Sequence, residues 1–477
     1  MCPRENKDCS SSIADTKTQA SCRTTTGHPI SVSLCLAAPP EGSRVCVQLP
    51  AGVEVSYSIV VAAHGDSVLV QAANIDSYRG TEDFLYSAGN AAADPPRLPS
   101  LRLLSRYSLR EGRAGRRSYL NRENTGLLRR GVDEFVVADL NVVVDDASDG
   151  LLTPELRLLR SGGRGDEWSL KRPPIKHHHG SDLPCSWNSD TVIPIDGDRL
   201  CWVDLSGGLL FSDVFEDSPG LRYVPLPEDP FFGRGWYRNV CVTSGGAVIK
   251  FVNTFPRCCC GGAGASYCQH SHHAYTVRTW TLTVDHMAWV MDGSIDTTEL
   301  WSLDGYEGLP RIELDCPVVS LDEPHCICFE LCEGYHVRHG GDDTKWLIMV
   351  DMRSKTLRSS FRYPQGRRHA GRRLLFPSRV SKYFNSELDD GMQGPAPAET
   401  VPNLMNNNIT GAIRRPACQL SNPPMQVSSL AKILGALKEI PDLDRDDMLK
   451  AYRTLQESYG CPNGSEEGLC ADGDQGH

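Results

Sequence analysis

The stretch FVVADL at 135–140 decides how this chain reads, because its pattern returns as LCWVDL at 200–205 and as WLIMVDM at 346–352. In each, a continuous apolar run closes on Asp followed by one more apolar residue. Runs this short, bounded by Gly, Pro, Asp and Ser, predict strands rather than helices. Each phrase is followed by a turn, a second apolar strand-like run and a third that ends in proline, at 168–173, 221–225 and 361–364. An Asp at the end of a strand can accept hydrogen bonds from the amides of the turn that follows, which accounts for Asp139, Asp204 and Asp351 as turn caps.

Working outward, short apolar runs recur from about Val32 to Tyr363, and almost none is long enough for a helix. Val32, Leu34 and Leu36 alternate with small or polar residues, as do Val45, Val47 and Leu49, and a Pro-Pro-Glu-Gly turn signal separates the two. A unit that recurs every fifty to sixty-five residues is close to a propeller blade in size, and a single blade cannot bury both faces of its sheet. The expected fold is therefore mainly β: an irregular β-propeller-like repeat domain, with stacked β-sandwiches as the alternative, followed by a small C-terminal helical hairpin. The expected organisation is a disordered segment at 1–23, the β-rich domain at 24–383, a linker at 384–426, the hairpin at 427–460 and a disordered tail at 461–477. The hairpin rests on Leu430, Ile433, Leu434, Leu437 and Ile440 before Pro441, and on Met448, Leu449, Tyr452 and Leu455 behind Asp444.

Composition narrows the function classes. The 477 residues carry a formal charge of −11, which opposes nonspecific attraction to nucleic acid or to an anionic membrane surface. No apolar run approaches the length of a membrane span. Nineteen cysteines are an odd number, and the opening MCPRENKDCSSS lacks the apolar core of a secretory signal. Reduced thiols in cytoplasm or nucleus are the expectation.

The segment TVIPIDGDRLCWVDLSGGLLFSDVFEDSPGLRYVPLPEDP at 191–230 closely resembles the plant family defined by domain of unknown function 1618, which is expanded in grasses. Similar segments lie at 24–43 (TTTGHPISVSLCLAAPPEGS), 131–140 (GVDEFVVADL) and 434–455 (LGALKEIPDLDRDDMLKAYRTL), with the family region itself expected at about 199–340. The resemblance implies no catalytic activity and brings no set of functional residues with it.

Candidate chemistry comes from local clusters. Cys258, Cys260, Cys268 and His272 sit in the Gly-rich stretch CCCGGAGASYCQHSHH and could supply the four ligands of a structural zinc, although no Cys-x-x-Cys pair precedes the histidines. Cys326, Cys328 and Cys332, with His336 and His339, form a second group that small buried apolar side chains explain equally well. Among the basic stretches, Arg367, Arg368, Arg372 and Arg373 form a patch able to hold phosphate or an acidic partner. Nucleophile-elbow, zincin, Walker A and dinucleotide-binding signatures do not occur in the sequence. The tryptophans at 202, 280, 289, 301 and 346 lie in strand-like runs and are expected in the core. The reading is a non-catalytic scaffold that binds a protein partner. An enzyme with a site built from dispersed loop residues, with or without zinc, and a nucleic-acid binder acting through the arginines are the alternatives.

Overall fold

The computed structural model describes residues 16–363 and positions 375, 377, 378 and 380. Excepted are the segments 75–80, 108–118, 145–151, 162–166, 178–186, 228–236, 257–274, 284–286 and 333–343 and a few single positions. The linker, helical hairpin and tail expected beyond 383 lie outside the described residues.

Among the described residues twenty-four strands make six sheets. The first holds β1 (Ala20–Arg23), β2 (Pro29–Cys35) and β3 (Arg44–Gln48). The second is the meander β4 (Val55–His64), β5 (Ser67–Asn74), β6 (Thr81–Ser87) and β7 (Ser100–Leu103). The third is β8 (Thr125–Arg130), β9 (Glu134–Val144), β10 (Leu152–Arg160) and β11 (Glu167–Lys171). The fourth runs β13 (Thr191–Ile195), β14 (Arg199–Asp204), β15 (Gly208–Asp213) and β16 (Leu221–Pro225), with β12 (Ile175–His177) added in parallel to β16. The fifth is β17 (Arg238–Thr243), β18 (Val248–Pro256), β19 (Tyr275–Thr283) and β20 (Ala288–Asp296). The sixth is β21 (Asp315–Val319), β22 (Cys326–Cys332), β23 (Lys345–Asp351) and β24 (Thr356–Arg362). All other pairings are antiparallel between chain neighbours, so each sheet closes on local turns before the next begins. A single α-helical turn among the described residues, α1 (Thr297–Leu300), is capped by Asp296, whose carboxylate accepts from the Thr298 amide at 2.8 Å. No helix among the described residues is long and apolar enough to cross a membrane.

The alternation of side chains along a strand explains how the sheets associate. In β14, Leu200 and Trp202 join the core shared with the third sheet, whereas Cys201 and Val203 join the core shared with the fifth. In β9, Phe135 and Val137 face the second sheet, and Val136, Ala138 and Leu140 face the fourth. Likewise Ile249 and Phe251 of β18 face the fourth sheet and Val252 faces the sixth. Five cores thus join the six sheets in chain order, and every interior sheet is covered on both faces. Double coverage is why FVVADL and LCWVDL are continuously apolar rather than alternating. Each fully buried Leu or Val contributes about 2 kcal/mol by removal from water.

The mainly β expectation holds. The repeated phrase, however, does not occupy equivalent strands. It lies in the second strand of the third and fourth sheets but in the third strand of the sixth, where only β24 follows it. The cause is physical: any interior strand covered on both faces needs an uninterrupted apolar run, whatever its place in the meander. Among the described residues no core cluster joins the sixth sheet to the first. Val380, beyond β24, is nevertheless buried in the core shared by the first two sheets.

Candidate functional site

Two of the three repeated aspartates cap turns as expected. Asp204 ends β14, and its Oδ1 accepts from the amides of Ser206 at 2.8 Å and Gly207 at 3.0 Å, while Oδ2 accepts from the Asn188 amide at 3.0 Å. Asp351 ends β23 and accepts from the amides of Arg353 at 2.9 Å and Ser354 at 3.1 Å, with Arg358 Nη2 at 2.6 Å on its other oxygen. Burial pushes the Asp351 carboxyl up, but the Arg358 ion pair and these amides outweigh it and hold it down at about 2.

Asp139 departs from that role. Its phrase continues as strand through Val144, so no turn follows, and the carboxylate is 2% exposed between the second and third sheets. There it accepts from Thr125 Oγ1 at 3.0 Å, Asn141 Nδ2 at 3.0 Å and Arg157 Nη1 at 3.3 Å. Burial raises its proton affinity in spite of these partners. Asp83 of β6 sits close enough for the two charges to repel. Gln71 Nε2 donates to Asp83 at 2.9 Å and, in the same fork, to the Leu120 carbonyl at 2.9 Å. Burial first, with Asp139 and Glu82 as neighbouring like charges, moves the Asp83 carboxyl up to about 6 against the pull of Gln71 and Arg106. The side of the cluster nearer the first sheet is closed by Glu82, which meets Arg106 Nη2 at 3.5 Å and accepts from the Thr25 amide at 3.0 Å. Arg157 completes it by lying over the Tyr107 ring, 4.9 Å from its centroid. Chemically this group can take up and release a proton near pH 6. Sequence reasoning placed Asp139 at a turn and passed over Asp83; the acid pair Glu82-Asp83 running into the apolar part of the strand TEDFLYS was the available signal.

Other ionisable groups are paired within and between the sheets. Arg129 Nε reaches Asp66 at 3.2 Å and its Nη1 donates to Ser67 and Ser87 at 2.7 and 2.8 Å. The Arg129 amide donates to His64 Nδ1 at 2.9 Å, which requires a neutral ring protonated on Nε2. Burial likewise lowers the proton affinity of His64. Lys250, 4% exposed at its side chain, pairs with Asp292, which also accepts from Thr279 Oγ1 at 2.7 Å and Thr281 Oγ1 at 2.5 Å. The hydroxyls of Tyr237 and Tyr275 both donate to Glu313.

The zinc candidates Cys258, Cys260, Cys268 and His272 and the basic patch Arg367, Arg368, Arg372 and Arg373 lie outside the described residues, as do His336 and His339. Cys326, Cys328 and Cys332 fall in β22. Burial pushes the Cys326 and Cys328 thiols up to about 12, and the Cys326 thiol lies 3.0 Å from Glu323 Oε2, whose charge raises it further. Cys326 is buried in the strand and Cys328 partly so. Among the described residues no three His, Cys, Asp or Glu side chains gather as metal ligands would. Trp202 and Trp280 are buried, and Trp289, Trp301 and Trp346 pack against core clusters, as the strand-like runs led one to expect.

No curated protein sequence matches this one. Among solved structures, the chain is similar to the WD40 domain of SCAP from fission yeast at 10% identity and a TM-score of 0.26, over 72% of this chain and 76% of that one. It is similar to the tricorn protease at 11% identity and a TM-score of 0.18, over 71% of this chain and 30% of that one. Likenesses of that size carry no argument about fold or activity. The sequence itself is more specific: residues 202–328 match the family described as Protein of unknown function (DUF1618), the family that the segment at 191–230 resembles.

Proposed function

We propose that residues 20–380 form an irregular propeller-like ring that serves as a non-catalytic scaffold for a protein partner. Three features support the ring. Five shared cores join the sheets in chain order, the opening strands β4, β8, β13, β17 and β21 neighbour one another in succession, and Val380 returns to the core of the first two sheets. Closure of such a series removes the exposed faces that its end sheets otherwise present.

The observation that carries the binding role is the outer strand of the fifth sheet. β20 stands at the end of its strand order and exposes Val290 and Met291 at 52% and 56%, beside a partly buried Trp289. An edge strand with outward apolar side chains and no Lys or Pro among them is a template for an added strand. The occupant is an extended apolar segment of a protein partner, and the chain's charge of −11 favours basic residues flanking that segment. The ring operates in cytoplasm or nucleus.

The test is affinity purification of the tagged full-length protein beside a V290D/M291D double variant and a chain truncated before Val427. The expected result is a stoichiometric protein captured by the full-length and truncated chains and lost from the double variant, whose circular dichroism and melting are unchanged. Equal capture by the folded double variant would overturn the edge as the site. Recovery of the wild-type chain alone would overturn the scaffold itself.

A further inference from the structure

Two thiols of the first sheet stand in direct contact. Cys35 Sγ and Cys46 Sγ are 3.3 Å apart, on the neighbouring strands β2 and β3. The register places Cys35 opposite Arg44 and Cys46 opposite Ser33, so the two cysteines are diagonal partners on one face of the hairpin. Cys35 is partly exposed and Cys46 is buried. Three other described thiols are placed differently: Cys201 is buried and points at the Trp202 carbonyl, Cys241 accepts from the Val319 amide, and Cys326 is held by Glu323.

We propose that Cys35 and Cys46 are a redox modification site that closes to a reversible disulfide when hydrogen peroxide is the oxidant. The Cys35 thiolate attacks one peroxide oxygen and the O–O bond breaks. Cys35 becomes a sulfenic acid, and the departing hydroxide takes up the proton released when the Cys35 thiol ionised and leaves as water. Cys46 Sγ then attacks the Cys35 sulfur, the S–O bond breaks, and a second water leaves. In sum two thiols lose two electrons and two protons, and one peroxide becomes two waters. A small-molecule dithiol reverses the step by thiol–disulfide exchange.

The sulfurs must close from 3.3 Å to the ~2.05 Å of an S–S bond, and β3, at the edge of its sheet, is the strand free to shift toward β2 as this diagonal pair joins. The bond would cross-link the base of the 36–45 hairpin. At its turn, a Cβ added to Gly42 would lie 3.2 Å from Leu375, so the modified hairpin is the one on which the returning chain packs.

Trypsin separates the two cysteines cleanly, because 24–44 contains Cys35 as its only cysteine and 45–79 contains Cys46 as its only one. Full-length protein is treated with about one molar equivalent of hydrogen peroxide, blocked by alkylation and mapped by mass spectrometry. The expected result is a 24–44/45–79 cross-linked pair that disappears on addition of dithiothreitol. In a C46S variant the same treatment should instead leave Cys35 as a sulfenic acid trapped by dimedone. A Cys35 that stays reduced, or that passes to sulfinic acid with Cys46 intact and no cross-link, would overturn the proposal.

Discussion

Asp83 and Asp139 show at the residue scale how a sheet junction alters an ordinary acid. In the unfolded chain Asp83 titrates near 3.8, whereas in the fold its carboxyl holds a proton up to about 6. The native state therefore binds the proton more tightly than the unfolded one. The stabilisation this brings is complete below pH 4 and is lost as pH rises through 6, with a size of ~1–3 kcal/mol. Asp83→Asn keeps the acceptor for Gln71 but removes the ionisation. We expect the variant to be ~1 kcal/mol or more stabler than wild type at pH 7 and to show a flatter stability profile between pH 4 and 7. Urea midpoints across that range check it, and parallel profiles for the two proteins would contradict it. At this scale the sequence revealed Asp204 and Asp351, since a turn follows each directly. It could not reveal the role of Asp139, because the carboxylate's neighbours come from β6, β8 and β10 and only packing brings them together.

Elements are positioned by how closely neighbouring sheets approach. Gly126 in β8 illustrates the constraint: a Cβ there would lie 2.6 Å from Val192 Cγ1 and 2.8 Å from Leu200 Cδ1, across the junction with the fourth sheet. Gly126→Ala must push β8 away from β13 and β14, and we expect it to cost ~1–3 kcal/mol in urea unfolding. Unchanged stability would mean that the junction has room to spare. The strands themselves were legible from apolar runs and turn residues, including β2 and β3 around Pro-Pro-Glu-Gly. Their phase within each sheet was not. A strand buried on both faces looks the same in sequence whether it stands second or third, which is why WLIMVDM, with Leu347 and Ile348 both buried, mimicked FVVADL in a different place.

At the scale of the whole chain the issue is whether the series of sheets meets its own beginning. Val380 is 7% exposed in the core of the first and second sheets, so Val380→Asp introduces a charge there and we expect a loss of ~2 kcal/mol or more. If the series closes into a ring, amide hydrogen exchange in this variant should quicken in β21–β24 as well as in β1–β7, because the returning chain links both ends. Quickening confined to the first two sheets would contradict the ring. By itself the sequence determined the mainly β class, the strand-rich span and the match of 202–328 to a described family, because local periodicity and turn chemistry are written residue by residue. Only the tertiary structure decided which acids are buried, which thiols touch and which faces meet. Those depend on side chains far apart in the chain, and a one-dimensional pattern does not order such contacts.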